Sequence, residues 1–172
     1  MSKDARTDVE DVEAANAALY EAVERGDLDA LADRWLGDGI SVVHPGWPVL
    51  SGRDEVLRSY ALIMANTEYV QFFLTDVEVS VMGDTAVVTC TENILSGGPA
   101  EEDGSAGPLI GGLVVATNVF RRAEDGHWRI WAHHGSPVLV EEDEEDGAPE
   151  GGIDGVDGSG PDGIDGEGGT LL

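Results

Sequence analysis

Two adjacent histidines, His133 and His134, lie in a strand-like run, Trp128-Arg129-Ile130-Trp131-Ala132-His133-His134, and a third, His44, stands directly before Pro45 and Gly46. Imidazole titrates near neutral pH, so a histidine that reaches a pocket can act as a general base or as a hydrogen-bond partner for a ligand. Successive side chains on a strand point to opposite faces, so only one of the twin histidines can face a given site. Trp128, Ile130, Ala132 and His134 form one set; Arg129, Trp131, His133 and Gly135 form the other. The first set is the less polar and is assigned to the interior. This places His134 inside, with His133 and Trp131 on the outer, convex face. A single β-bulge between them would reverse the assignment. An inward His134 would serve either as a base or as a core histidine that orders the end of its strand.

Glu92 falls in an otherwise apolar run, in phase with Val88 and Cys90. An inward carboxylate is costly unless it is hydrogen-bonded, and its pKa rises, which is what a general base near neutral pH needs. The alternative is a Glu92 that faces solvent or a partner subunit. His44 at a strand end would line a cavity mouth or fix its loop by a hydrogen bond. Trp47 would stack on a flat ligand or plug the cavity, and Tyr60 would point its hydroxyl into the pocket or simply pack. Asn118 would donate to a ligand oxygen or tie a neighbouring strand. The candidates are thus His134, His44 and Glu92 for proton handling, with Trp47, Tyr60 and Asn118 for ligand binding. His44, His134 and Glu92 lack any metal-ligand spacing, so neither a metal nor another cofactor is expected. Gly97-Gly98 and Gly111-Gly112 sit between strands rather than before a helix, so they form no phosphate cradle. Ser136 before Pro137 is not a nucleophile elbow.

The elements that must position these residues follow from periodicity. Thr7-Asp8-Val9-Glu10 matches a capping box, and Val12, Ala15, Leu19, Ala22 and Val23 recur behind it at helical spacing. Gly26 suits the end of that helix, and Asp27 can cap a shorter one through Leu31 and Trp35. Ile40 to His44 is strand-like, and two prolines within His44-Pro45-Gly46-Trp47-Pro48 stop it. Ser51-Gly52-Arg53-Asp54 offers a second capping box, before a helix whose face is Val56, Leu57, Tyr60, Ile63 and Met64. From Tyr69 the period changes to two. Val70–Leu74, then Val77, Val79 and Val81, Ala86–Leu95, Ile110–Arg121 and His127–His134 read as strands joined by short turns, with a Gly/Pro/acid loop from Gly97 to Pro108. Short connections between long strands predict an antiparallel sheet.

The chain has 172 residues, with 35 acidic side chains against nine basic ones and a formal net charge of −26. Residues 141–172 hold 12 of the acids and no base, which leaves a net charge of −14 in the first 140 residues. Such a surface repels itself in dilute salt, whereas at about 1 M salt the Debye length falls to about 3 Å. With Lys3 as the single lysine, the composition points to a halophilic, acidic protein of the cytoplasm. No basic patch exists to displace counterions from nucleic acid. The polar N-terminus carries no signal-peptide pattern, no run is long enough to span a bilayer, and the single Cys90 fits a reducing compartment. Residues 1–7 are expected to be flexible, and residues 141–172, with repeated Ile-Asp-Gly and Val-Asp-Gly triplets, to be a disordered tail.

The order helix, helix, strand, helix, sheet carries several informative strings. They are Ala14-Ala15-Asn16, Gly26-Asp27-Leu28-Asp29-Ala30-Leu31, His44-Pro45-Gly46-Trp47 with Gly52-Arg53, Thr117-Asn118-Val119-Phe120-Arg121, and Trp128-Arg129-Ile130 with His133-His134-Gly135-Ser136-Pro137. Together they resemble the SnoaL-like domains of the nuclear-transport-factor-2-like superfamily, over residues 8–140. The resemblance implies an α+β cone: three N-terminal helices packed on a strongly curved antiparallel sheet that encloses a pocket. His134 occupies a position the resemblance also makes inward. The resemblance further implies a small-molecule-binding domain, extending to cofactor-free acid–base catalysis of the isomerase, cyclase or hydrolase type on a small apolar ligand. Its rival is a non-enzymatic association or ligand-sensing domain, and both go with a homodimer formed through the convex sheet face. The catalytic Asp of the ketosteroid isomerase and cyclase members has no matching string here and is not carried over.

Overall fold

A computed structural model describes residues 5–139, and the expected acidic tail and most of the N-terminal segment lie outside them. Three helices precede the long strands: α1 (Ala5–Glu24), α2 (Leu28–Arg34) and α3 (Arg53–Ala65). The strands are β1 (Ser41–Val43), β2 (Leu50–Ser51), β3 (Tyr69–Met82), β4 (Thr85–Gly97), β5 (Leu109–Arg122) and β6 (Trp128–Pro137). They form one curved sheet in the order β2-β1-β6-β5-β4-β3. Every pairing is antiparallel except β1 with β6, where Val42 lies beside His133. The expected α+β cone is therefore present, with one parallel pair that strand counting did not anticipate.

Local chemistry explains the helix ends and corrects two of them. Asp27 caps α2 by accepting from the Ala30 N–H at 2.9 Å, as its position predicts. Helix α1 begins at Ala5, before the expected cap at Thr7, and Asp8 pairs instead with Arg122 at 3.0 Å. At α3 the cap is Gly52 with φ 89°, so Ser51 provides no side-chain cap. The expected box with Asp54 does not form, and Glu55 instead accepts from the Ser51 N–H at 3.1 Å. Arg53 donates to the Ala32 and Leu36 carbonyls, both at 3.0 Å, and thereby ties α3 to the C-terminal end of α2. A cation there also complements the helix dipole.

The inner sheet face and the helices share one core that includes Val12, Leu19, Leu31, Trp35, Val88, Phe120 and Ile130. Two irregularities bend the sheet. In β3 the register shifts between Thr75 and Glu78, where Asp76 adopts φ 52°. This bulge joins the two expected segments into one strand. In β6, Val119 pairs with Ala132 but Phe120 pairs with Ile130, so Trp131 is an extra residue. A bulge shifts the side-chain alternation by one. Trp128 and Ile130 therefore point in before it, and His133 and Gly135 point in after it, while His134 is exposed.

Candidate functional site

The β6 bulge decides which histidine enters the interior. His133 is buried and lies directly across from Asn118 on β5, on the inner face. His134 faces outward beside Thr117, with its ring near Ser136 at 3.4 Å. The expectation of an inward His134 and an outward His133 is thus reversed, by the one irregularity that could reverse it. Trp131 is outward as expected, and its indole N–H donates to the Gly39 carbonyl at 3.1 Å.

A cavity of about 270 Å³ opens between α1, α3, the β1–β2 connection and the inner faces of β3, β4 and β6. Its polar lining includes Tyr20, His44, Tyr60, Glu92 and His133, with the hydroxyls of Thr67 and Ser96; apolar walls include Leu19, Phe72 and Ile94, and Trp47 stands at the mouth. His44, Glu92, Trp47 and Tyr60 are brought together as the sequence suggested, and His133 takes the place given to His134. Asn118 lies one layer behind the wall, fully buried, and reaches the cavity only through its neighbours. No three His, Cys, Asp or Glu side chains among the described residues are placed to hold a metal.

Glu92 is inward because it continues the Ala86, Val88, Cys90 alternation of β4. Its carboxylate accepts from the Tyr20 hydroxyl at 2.6 Å. Burial holds its pKa above the ordinary carboxylate range, and the Tyr20 hydrogen bond partly opposes this. No ion pair compensates it among the described residues. Tyr20 in turn accepts from the Asn118 amide at 3.1 Å, and the same amide donates to Asn16 Oδ1 at 2.8 Å. The Asn118 oxygen faces His133 Nδ1. Burial, and then the proximity of His44 and His134, lower the His133 pKa to about 3.

His44 is neutral for a similar reason: burial lowers its pKa to about 4. Its Nε2 lies 2.8 Å from Ser59 Oγ, which spends its own hydrogen on the Val56 carbonyl at 2.7 Å. Nε2 must therefore be the donor, which leaves Nδ1 with a lone pair. The His44 ring is held edge-on between Trp47 and Tyr60, with centroids at 5.2 Å and 4.9 Å. Burial, and then Glu92, raise the Tyr60 pKa, so it remains a phenol. Its hydroxyl has no hydrogen-bond partner among the described residues. Tyr20, Asn16 and Ser59 were not singled out from the sequence as site residues. The signal for two of them was a polar break in the α1 stripe: Val12, Asn16, Leu19, Tyr20 and Val23 are all buried on one face.

Comparisons with known proteins place this geometry. Residues 12–141 match the family described as the SnoaL-like domain. An NTF2-like protein from Streptomyces avermitilis, provisionally named a dehydratase, is 66% identical, covers 78% of this chain and 99% of its own, and superposes with a TM-score of 0.74. A protein from Thiobacillus denitrificans, provisionally named a calcium/calmodulin-dependent protein kinase type II association domain, is 26% identical over 74% of this chain and 94% of its own, with a TM-score of 0.60. The F-box protein SKIP8 of Arabidopsis thaliana is 25% identical over 128 residues; these make up 74% of this chain but 49% of that protein, so the chain spans about half the length of this curated relative. The helix–strand order, the cone and the family match agree: the chain belongs to the SnoaL-like domain family of the NTF2-like superfamily.

Proposed function

We propose that the cavity binds an uncharged small molecule and carries out cofactor-free acid–base chemistry on it, with Glu92 as the proton acceptor. The observation that carries this reading is the grouping of one buried, unneutralised carboxyl, two neutral imidazoles and a free phenol hydroxyl around one apolar cavity. A carboxyl with a raised pKa removes a proton from carbon next to a carbonyl more effectively than an ordinary one. The Tyr60 hydroxyl supplies a donor for the carbonyl oxygen as charge develops on it. His44 and His133, held neutral, accept from substrate hydroxyls. The volume, about 270 Å³ and just below the roughly 300–1,000 Å³ typical of ligand sites, suits a small ligand of one or two rings. No lysine or arginine lines it, so an anionic ligand would meet Glu92 uncompensated. The provisional name of the Streptomyces avermitilis relative is consistent with proton-transfer chemistry.

Two measurements test this. Calorimetry should show 4-methylphenol binding and 4-methylbenzoate binding at least tenfold more weakly; equal or tighter binding of the carboxylate would overturn the charge argument. In D₂O the protein should speed deuterium exchange at C6 of 2-cyclohexenone, the saturated carbon next to the carbonyl, and Glu92→Gln should abolish the acceleration. Exchange unaffected by Glu92→Gln would remove Glu92 from the role.

The name of the Thiobacillus denitrificans relative favours a second reading, an association domain, and the outer sheet face carries the required apolar side chains. We propose that this face forms a homodimer, which is compatible with either reading. Sedimentation showing only monomer at micromolar concentration in molar salt would contradict it.

A further inference from the structure

Five buried side chains from four elements meet behind the cavity wall, and their hydrogen bonds run in a single direction. Tyr20 donates its one hydroxyl hydrogen to Glu92, so its oxygen can only accept, from Asn118 and, at 3.8 Å, from the Cys90 thiol. The Asn118 amide nitrogen has two hydrogens, and both are engaged, one by Tyr20 and one by Asn16 Oδ1. The Asn118 oxygen is therefore the atom turned toward His133, and the facing Nδ1 must carry a hydrogen. A flipped Asn118 would set its oxygen against the Asn16 oxygen and against a Tyr20 oxygen whose hydrogen is already committed. In an interior this dry, such acceptor–acceptor contacts are expensive. Asn118 and Asn16 are both essentially inaccessible to solvent, so water cannot relieve them. His133 Nε2 makes no hydrogen bond within the described residues, and the ring lines the cavity.

We propose that Asn118 is a positioning residue that, oriented by Asn16 and Tyr20, locks His133 in the Nδ1–H tautomer and so presents Nε2 to the cavity as a bare acceptor for a ligand hydroxyl. This deepens the functional reading above and rests on it for the ligand, but the tautomer itself does not depend on any ligand. The direction of the chain also links the two ends. A Glu92 that keeps the Tyr20 hydrogen keeps Asn118 oriented, and with it the His133 ring. The sequence carries the device as Asn16 inside the apolar stripe of α1 and Asn118 inside an inward strand face, two polar residues placed where apolar ones would otherwise pack.

Ring-nitrogen NMR of the full chain labelled with ¹⁵N-histidine reads the tautomer directly. His133 is expected to show a protonated Nδ1 and an unprotonated Nε2 at pH 7. An Nε2–H tautomer in the unsubstituted protein would overturn the proposal at once, whatever any variant does. Asn118→Leu removes the acceptor and should give mixed tautomers. Asn16→Leu should mix the tautomers through the freed Asn118 amide, and Asn16→Asp should not. A folded Asn118→Leu protein with an unchanged His133 signal would show Asn118 to be structural only. Binding of 4-methylphenol should weaken about tenfold in Asn118→Leu, the effect of one lost hydrogen bond. If the phenol binds to neither protein while the tautomer behaves as stated, the functional reading fails and the positioning role stands.

Discussion

The two faces of the sheet solve opposite problems with the same strands. On the inner face of β4 and β5, Val88, Cys90, Glu92, Ala116, Asn118 and Phe120 are all buried, and the polar members among them are held in hydrogen bonds of fixed direction. On the outer face Phe73, Val87, Leu113, Val115 and Trp131 stand exposed among Thr89, Thr91, Thr117 and His134. The inner face tolerates Glu92 and Asn118 because each has a designated neighbour. The outer face tolerates apolar groups because exposure costs each one little by itself. Chemistry therefore belongs to the face where a polar group is expensive, and association to the face where apolar area is left over. The twin histidines, one residue apart in sequence, fall on opposite sides of this division.

Acid should break the inner face first. His133 and His44 titrate at about 3 and about 4 in the folded chain, against about 6.5 when unfolded. Below pH 6.5 the unfolded state thus binds more protons, and stability is lost progressively as pH falls through this window. His133 alone carries up to about 5 kcal/mol by pH 3. Glu92 acts with the opposite sign: its raised pKa makes the folded chain the better proton binder just above the ordinary carboxylate range, so its contribution is lost as pH rises. Denaturant titrations at several pH values should show His133→Gln flattening the acid limb and Glu92→Gln removing the opposing one. Phe120→Ala, which leaves a cavity at a site closed to solvent, should cost about 3–5 kcal/mol in the same titrations.

Gly135→Val probes the bulge from the inner side. A Cβ at Gly135 would stand 3.1 Å from Pro45 and 3.2 Å from Val114. The added methyls should force Pro45 away from the cavity mouth and cost about 1–3 kcal/mol by overpacking. On the outer face Val115→Ser should change the stability of the isolated chain by no more than about 0.5 kcal/mol. If that face joins two copies, the same change should instead shift sedimentation toward monomer.

Much of this architecture was legible in the residues. Asp27 at a helix start, the alternation of Ala86 to Glu92 and the helical stripes of α1 and α3 each report a local preference, and local preferences survived into the fold. Glu92, His44, Trp47 and Tyr60 were each legible from strand phase, the Pro45–Pro48 break or a helix face, and the family resemblance supplied the pocket that joins them. What stayed hidden depends on pairing at a distance. The β6 bulge arises where Val119 and Phe120 meet a strand with one residue too many, and nothing within Trp128–His134 announces it. The parallel β1–β6 pair and the convergence of Asn16, Tyr20 and Asn118 likewise join segments far apart in the chain. Asn118 was legible as a residue that could tie a neighbouring strand, but neither Asn16 nor Tyr20 was legible as its partner.

The claim on which all of this turns is that β6 delivers His133, and not His134, to a cavity that takes a neutral ligand. Ring-nitrogen spectra of the histidines recorded during a titration with 4-methylphenol test it most directly. The signals of His133 and His44 should move together and saturate while that of His134 stays in place. A saturable shift of His134 with His133 unmoved would contradict the account.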